Sequence, residues 1–404
     1  MQAIIPLNGV VQHYDWGGFH FLPQLLSTPN PENKPFAELW MGTHKKGTAT
    51  ASLPAGDISL AELISQGPVQ VLGEEVANYF QGRLPFLFKI LDVRKMLSIQ
   101  AHPTKKSAEV GFQRENEKGI PLTAFHRSYR DDNHKPEVMV ALTDFWLLHG
   151  FKSKEAIAAT LKEVPAFQVL QTVFEAQDIK ALYQHIMELP QEEVDQILAP
   201  LKQRLDAKAA AGPIEKSSPD YWAKLAFEDY TRDGHYDRGI FSIYLFNLVF
   251  IPKGKGIFQD AGVPHAYLEG VNVELMANSD NVFRGGLTPK HIDVPELLKH
   301  LVFTPVDPKV LEGEKENPIV TSFSTPAPDF ALSQLSFTNE HTELKRELSP
   351  TATIYIVMNG AVEVTGTEKS FRFPQGSVFL VPAQQVIDIQ SKGEALLFAA
   401  KAGL

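Results

Sequence analysis

The chain has 404 residues, 44% hydrophobic and 21% charged, enough to build more than one core. With 38 Lys and Arg against 48 Asp and Glu the net charge is −10, which argues against a dedicated nucleic-acid or anionic-membrane binder but leaves room for a local basic pocket. There are no cysteines, so disulfides, thiolate metal sites and thiol nucleophiles are excluded, and any metal must be held by His, carboxylate, amide or water.

Met1 to Val10 carries no basic cluster leading into an apolar stretch, and no run reaches the ~18 apolar residues of a membrane span, so the expected compartment is the cytoplasm and no membrane partner is expected. Up to about residue 150, short apolar runs alternate with turn signals such as Trp16-Gly17-Gly18 and Pro29-Asn30-Pro31. Leu84–Ile90 and Met96–Ile99 read as strands, and Leu60–Ser65 as a helical piece; the texture is that of a sandwich or barrel. From Ser153 to about Tyr230 the apolar spacing becomes helical, as in Ala156, Ile157, Leu161 and Val164, or Ile179, Leu182, Ile186 and Leu189. Ser153 is the expected N-cap, Pro165 and Pro190 punctuate the series, and Ala207–Ala211 before Gly212-Pro213 marks a helix end. Strand texture returns at Ile240–Ile251, read as buried strand, and at Val271–Met276. In the last hundred residues, Thr353–Met358, Asn359-Gly360 and Ala361–Val364 predict a type I′ hairpin, with Gly376–Pro382 supplying another strand.

Three histidine contexts stand out. In Leu97–Pro103 strand alternation places Ser98, Gln100 and His102 on one face, as expected of a strand lining a cavity or, more plainly, of one facing solvent. Asn133-His134-Lys135-Pro136-Glu137 enters the apolar run Val138–Leu142, with Lys135 and Glu137 on one face; a charged turn before a strand is the simpler reading. Val263-Pro264-His265-Ala266-Tyr267 is followed by Glu274 in an alternating strand and by the polar segment Asn278–Lys290, with Asp280, Arg284 and Lys290 around Gly285-Gly286. So many polar groups beside apolar strands are costly to bury without partners.

These segments, LSIQAHP, NHKPE, VPHAY and SDNVFRGGLTPK, in this order, resemble the type I phosphomannose isomerase family, as do Tyr14-Asp15-Trp16-Gly17 and Ala37–His44. The resemblance runs from about residue 10 to about residue 300 and implies a mainly β fold with a helical insertion. It implies a cupin (jelly-roll) catalytic barrel built from residues 1–151 and 239–305, interrupted by an insertion over 152–238, with a second cupin-like β domain at 306–404. It also implies one Zn²⁺ per chain held by Gln100, His102, Glu137 and His265. Two imidazoles, a carboxylate and a weaker amide oxygen suit that ion.

The implied reaction is the aldose–ketose interconversion of mannose 6-phosphate and fructose 6-phosphate through an enediol, which needs an acid–base pair, positive charge near the enediolate and an anion clamp. Arg284 resembles the family's active-site arginine and is assigned to oxyanion stabilisation; Lys135 is the first base candidate, with His134, Glu274 and Asp280 as competitors. Ser98 and Lys290 are the expected substrate contacts. Gly285 departs from the alanine more usual in the family, and the glycine pair is expected to loosen the loop that carries Arg284. The expected partner is a small sugar phosphate, and the expected state a monomer. The rivals are a non-catalytic sugar-binding cupin and an iron cupin oxygenase, the latter disfavoured by the glutamine ligand and the cationic clamp.

Overall fold

The strand His265–Ala277 organises the site-bearing part of the computed structural model, which describes residues 2–404. Its first part pairs antiparallel with Trp146–His149, and its second part lies between Phe86–Val93 and Glu137–Ala141. Gly270 marks the change of partners: its φ is +131°, and a Cβ there would come within 2.5 Å of Phe145 Cδ2. Strand alternation then sorts the residues. Phe86, Phe88, Ile90, Val138, Val140, Val273 and Leu275 face one apolar core. Lys89, Glu137 and Glu274 project to the opposite side. A period of two therefore gathers charged residues on one face of strands whose other face is mainly apolar.

Four sheets and 12 α-helices are present among the described residues, and the β architecture dominates; no sheet closes on itself. The helical insertion begins at Lys154–Glu163, where Ser153 Oγ accepts the Ala156 N–H at 3.1 Å, as expected of its N-cap role. A 3₁₀ turn at Pro165–Leu170 and helices Gln171–Ala176, Ile179–Glu188, Gln191–Ala211 and Pro219–Tyr230 follow. They bury Leu161, Phe167, Leu182, Ile186, Leu198 and Trp222 against Phe241, Tyr244 and Phe246. None of the helices is long and apolar enough to cross a membrane.

Two readings of the sequence are corrected. Ile240–Ile251 is not one strand: Gly239–Leu245 is a fully buried helix, and only Phe246–Ile251 is strand. A short apolar run buried on all sides carries no period by which helix and strand can be told apart. Nor do Thr353–Asn359 and Ala361–Thr365 form a hairpin. The first pairs with Val378–Val381 and Ala395–Lys401, the second with Ser370–Pro374 and Gln385–Ser391 in a different sheet. Gly360, with φ +74°, turns the chain between sheets, while Asn359 lacks the positive φ a type I′ turn requires. Alternate residues of Thr353–Asn359 serve two cores, Ile354 and Ile356 one, Tyr355 and Val357 the other. The same sheet includes Ile5–Asn8, which pairs with Val378–Val381, so the first strand of the chain is hydrogen-bonded to its last hundred residues.

Candidate active site

His102, Glu137 and His265 converge from three separate segments, with ligand atoms all within 4.8 Å of one another and every side chain buried. His102 Nδ1 faces the Asn281 carbonyl at 2.7 Å and His265 Nδ1 the Val263 carbonyl at 2.9 Å. A carbonyl only accepts, so both Nδ1 atoms carry the proton and both Nε2 lone pairs face inward. There they meet Glu137, at 3.6 Å from Oε1 and 3.3 Å from Oε2, and neither Nε2 has a hydrogen-bond partner. Two lone pairs aimed at a carboxylate in a dry interior repel one another unless a cation lies among them. Bonds of ~2.1 Å in a tetrahedral site would space ligand atoms by about 3.4 Å, close to the 3.6 and 3.3 Å between each Nε2 and the Glu137 oxygen it faces. The residues fit a Zn²⁺ ion. Gln100 lies directly across the sheet from both His265 and Arg284, so these three side chains share one side.

Outward from this trio opens a cavity of about 790 Å³. Lys46, Lys89, Arg127, Arg130, Lys135, Arg284 and Lys290 wall it, against Glu38, Asp280 and Asp293. The chain is acidic overall; this cavity is not. Ser98, Gln100, Lys135, Asp280, Arg284 and Lys290 all reach its wall, whereas His102, Glu137, His265 and Glu274 lie behind it. His134 turns elsewhere, placing Nε2 2.8 Å from Asp329 Oδ2.

The charged residues fall into two kinds. Some are already paired. Lys135 Nζ is 2.9 Å from Glu137 Oε1; Asp280 meets His44 at 3.3 Å and Lys46 at 3.1 Å. Burial pushes the Asp280 carboxyl up, but the His44 and Lys46 contacts win and hold it well below the usual range. Lys89 is buried 3.0 Å from Glu274 and 3.4 Å from Glu38, which in turn accepts Trp40 Nε1–H at 2.5 Å. Burial alone would lower the Lys89 ammonium; its two carboxylates outweigh that and raise it. Removing either partner at such depth costs roughly 3–5 kcal/mol.

The others have no anion. Among the described residues, neither Arg284 nor Lys290 makes a side-chain ion pair, and Arg130 spends its guanidinium on the carbonyls of Leu122 and Ala124. Burial, then the neighbouring Arg130, lowers the Arg284 guanidinium; burial, then Arg284, lowers the Lys290 ammonium. Two half-buried arginines and the more exposed Lys290, repelling one another, form a site an anion would relieve.

Sequence reasoning missed Glu38, Trp40, Lys89 and Arg130. A lysine inside the apolar run Leu84–Ile90 was a signal for Lys89, since a buried ammonium requires a partner. Gly285 and Gly286 stand where neighbouring atoms leave little room for a side chain. A Cβ on Gly285 would meet the Tyr183 hydroxyl at 2.8 Å, and one on Gly286 would meet Gly239 Cα at 2.4 Å. The glycines permit close packing.

The catalytic-domain model of phosphomannose isomerase type I matches residues 4–154. The chain is 36% identical over 390 residues to mannose-6-phosphate isomerase of Escherichia coli (strain K12), covering 95% of this chain and 96% of that one. It is 34% identical over 417 residues to the Homo sapiens mannose-6-phosphate isomerase, covering 96% and 95%. The crystal structure of mannose 6-phosphate isomerase from Salmonella typhimurium, bound to its substrate F6P and zinc, superposes over 100% of both chains with a TM-score of 0.88 and 34% identity. A fold of sheets around a buried His-Glu-His set, opening on a cationic cavity, defines a metal-dependent enzyme for a small anionic substrate. The chain belongs to the type I phosphomannose isomerase family.

Proposed function

We propose that this protein is a zinc-dependent aldose–ketose isomerase that interconverts mannose 6-phosphate and fructose 6-phosphate through an enediol intermediate. The observation that carries the proposal is the pair of inward lone pairs on His102 and His265 closing on Glu137 beneath a cavity with unpaired cations. In this reading the metal is held by Gln100, His102, Glu137 and His265, with Gln100 supported by its cross-strand position opposite His265. Bound there, zinc supplies positive charge beside the sugar oxygens.

The chain's own residues do the rest. Arg284, Lys290 and the neighbouring Arg130 form the clamp for phosphate and oxyanion, supported by their lack of carboxylate partners. Ser98 offers a hydroxyl to the substrate from the cavity wall. Of the candidates for moving a proton between C2 and C1, position favours Lys135 and Asp280, both on the wall; Asp280, held as a carboxylate, can accept but is a weak base. Glu274 and His134 lie behind the wall or turned to Asp329, which favours supporting roles.

The same reading takes the fold as a cupin. Residues 1–151 and 239–305 make the catalytic barrel, 152–238 the insertion and 306–404 a second cupin-like domain. It takes the protein as a cytoplasmic monomer with no nucleic-acid or membrane partner. Conversion of mannose 6-phosphate in D₂O tests the function: fructose 6-phosphate should form, with deuterium incorporated from solvent at the carbon that receives the proton. Absence of ketose product would rule the proposal out.

A further inference from the structure

We propose that Asp237, at the exit of the helical insertion, is a positioning residue that fixes the loop carrying Arg284 and Lys290 and so sets how tightly the phosphate end of the substrate is held. The inference rests on the function proposed above for that loop.

One carboxylate ties two segments together. Asp237 Oδ1 accepts the N–H of Gly239 and of Leu287, each at 2.7 Å, and Oδ2 accepts the N–H of Thr288 at 3.2 Å. Gly239 opens the buried helix Gly239–Leu245, whereas Leu287 and Thr288 directly follow the strand Phe283–Gly286 that bears Arg284. Asp237 does not wall the cavity, but Leu287, Thr288, Pro289 and Lys290 do. Its influence would therefore pass through the backbone.

The loop needs such a restraint. Leu287 has φ +53°, a left-handed conformation unfavourable for a non-glycine residue, and Gly286 has φ +127°. Gly286 also lies so close to Gly239 that a Cβ would come within 2.4 Å of the Gly239 Cα. Burial raises the Asp237 carboxyl, and the three backbone N–H groups oppose that by favouring the carboxylate, whose bonds to the consecutive N–H groups of Leu287 and Thr288 can hold a strained turn. Without them Leu287 would relax toward negative φ, and Arg284 and Lys290, which flank the turn, would shift apart. At such a clamp even ~1 Å of misplacement is felt in binding.

The test compares wild type, Asp237→Ala and Asp237→Asn as zinc-loaded proteins, measuring kcat, KM for mannose 6-phosphate and the inhibition constant of inorganic phosphate. For Asp237→Ala, KM and the phosphate inhibition constant should both rise by about tenfold or more while kcat falls less and zinc content is unchanged. Asp237→Asn, which keeps one acceptor oxygen, should recover part of the loss. If either constant rises by less than about tenfold in a folded Asp237→Ala protein, or if only kcat falls, the proposal is overturned. Should Asp237→Ala fail to fold, Asp237→Asn decides alone, a rise in both constants of about twofold or more supporting the proposal and anything less overturning it. A wild type that does not convert mannose 6-phosphate would instead strike the function, and the dissociation constant of inorganic phosphate measured by calorimetry on the same three proteins would then test the clamp.

Discussion

Lys135 Nζ lies 2.9 Å from Glu137 Oε1, so a cation on the cavity wall touches the carboxylate at the centre of the buried donor set. Pro136, between them, keeps Lys135 extended and places the two side chains on the same side. Lys135→Met should lower turnover by about 10²–10⁴-fold, the usual contribution of a positioned proton-transfer group, while zinc stays bound. Rates within about threefold of wild type would remove Lys135 from the chemistry.

Arg284 should likewise separate catalysis from metal binding. Its guanidinium walls the cavity without a carboxylate partner, so Arg284→Ala leaves no buried anion exposed to loss of its cation. The expected outcome is full zinc content and a turnover reduced by about 10²–10³-fold. Metal analysis of the assayed sample checks both; unchanged turnover contradicts the assignment.

His265→Ala should do the reverse, because it removes one of the two inward Nε2 donors. Zinc retention after dialysis should be lost with little change in melting temperature, since the cores around Phe88 and Val273 are apolar and separate from the site. Stoichiometric zinc in this variant would show that His265 is not a ligand.

Glu296 carries a stability prediction with a definite sign. The His300 imidazole beside it, against the opposing effect of burial, and then the Tyr129 hydroxyl and the Arg114 guanidinium, hold its carboxyl down to about 2. A depressed carboxyl stabilises the fold fully above its unfolded value of ~4.3, and the contribution disappears as pH falls toward 2. Wild type should therefore lose stability between about pH 4.5 and pH 2 more steeply than Glu296→Gln. Denaturant midpoints measured across that range check it, and parallel curves would refute the linkage.

His102, Glu137 and His265 stood out in the chain because each sits in a short window beside a proline, Pro103, Pro136 or Pro264, but their grouping into one ligand set came from the family resemblance. What could not be read depends on neighbours across the sheet. Lys89 acquires its meaning from Glu274, which faces it in the register, and from Glu38 on the other adjacent strand. Arg130 sits outside every regular element, and its site emerges only when the loop after Arg284 packs near it. Likewise Asn359-Gly360 is a good hairpin signal locally, yet burial of Thr353–Asn359 on both faces gives that strand two partners in another sheet. Local chemistry was visible; the choice of strand partner, decided by long-range burial, was not.

On the proposed function, turnover depends on a cation gathered by His102, Glu137 and His265. The most direct measurement follows zinc per chain and isomerase activity in the same samples during chelation and zinc re-addition. Activity should fall in proportion to zinc, vanish in the metal-free protein and return with one zinc per chain; undiminished conversion by verified metal-free protein would contradict the account.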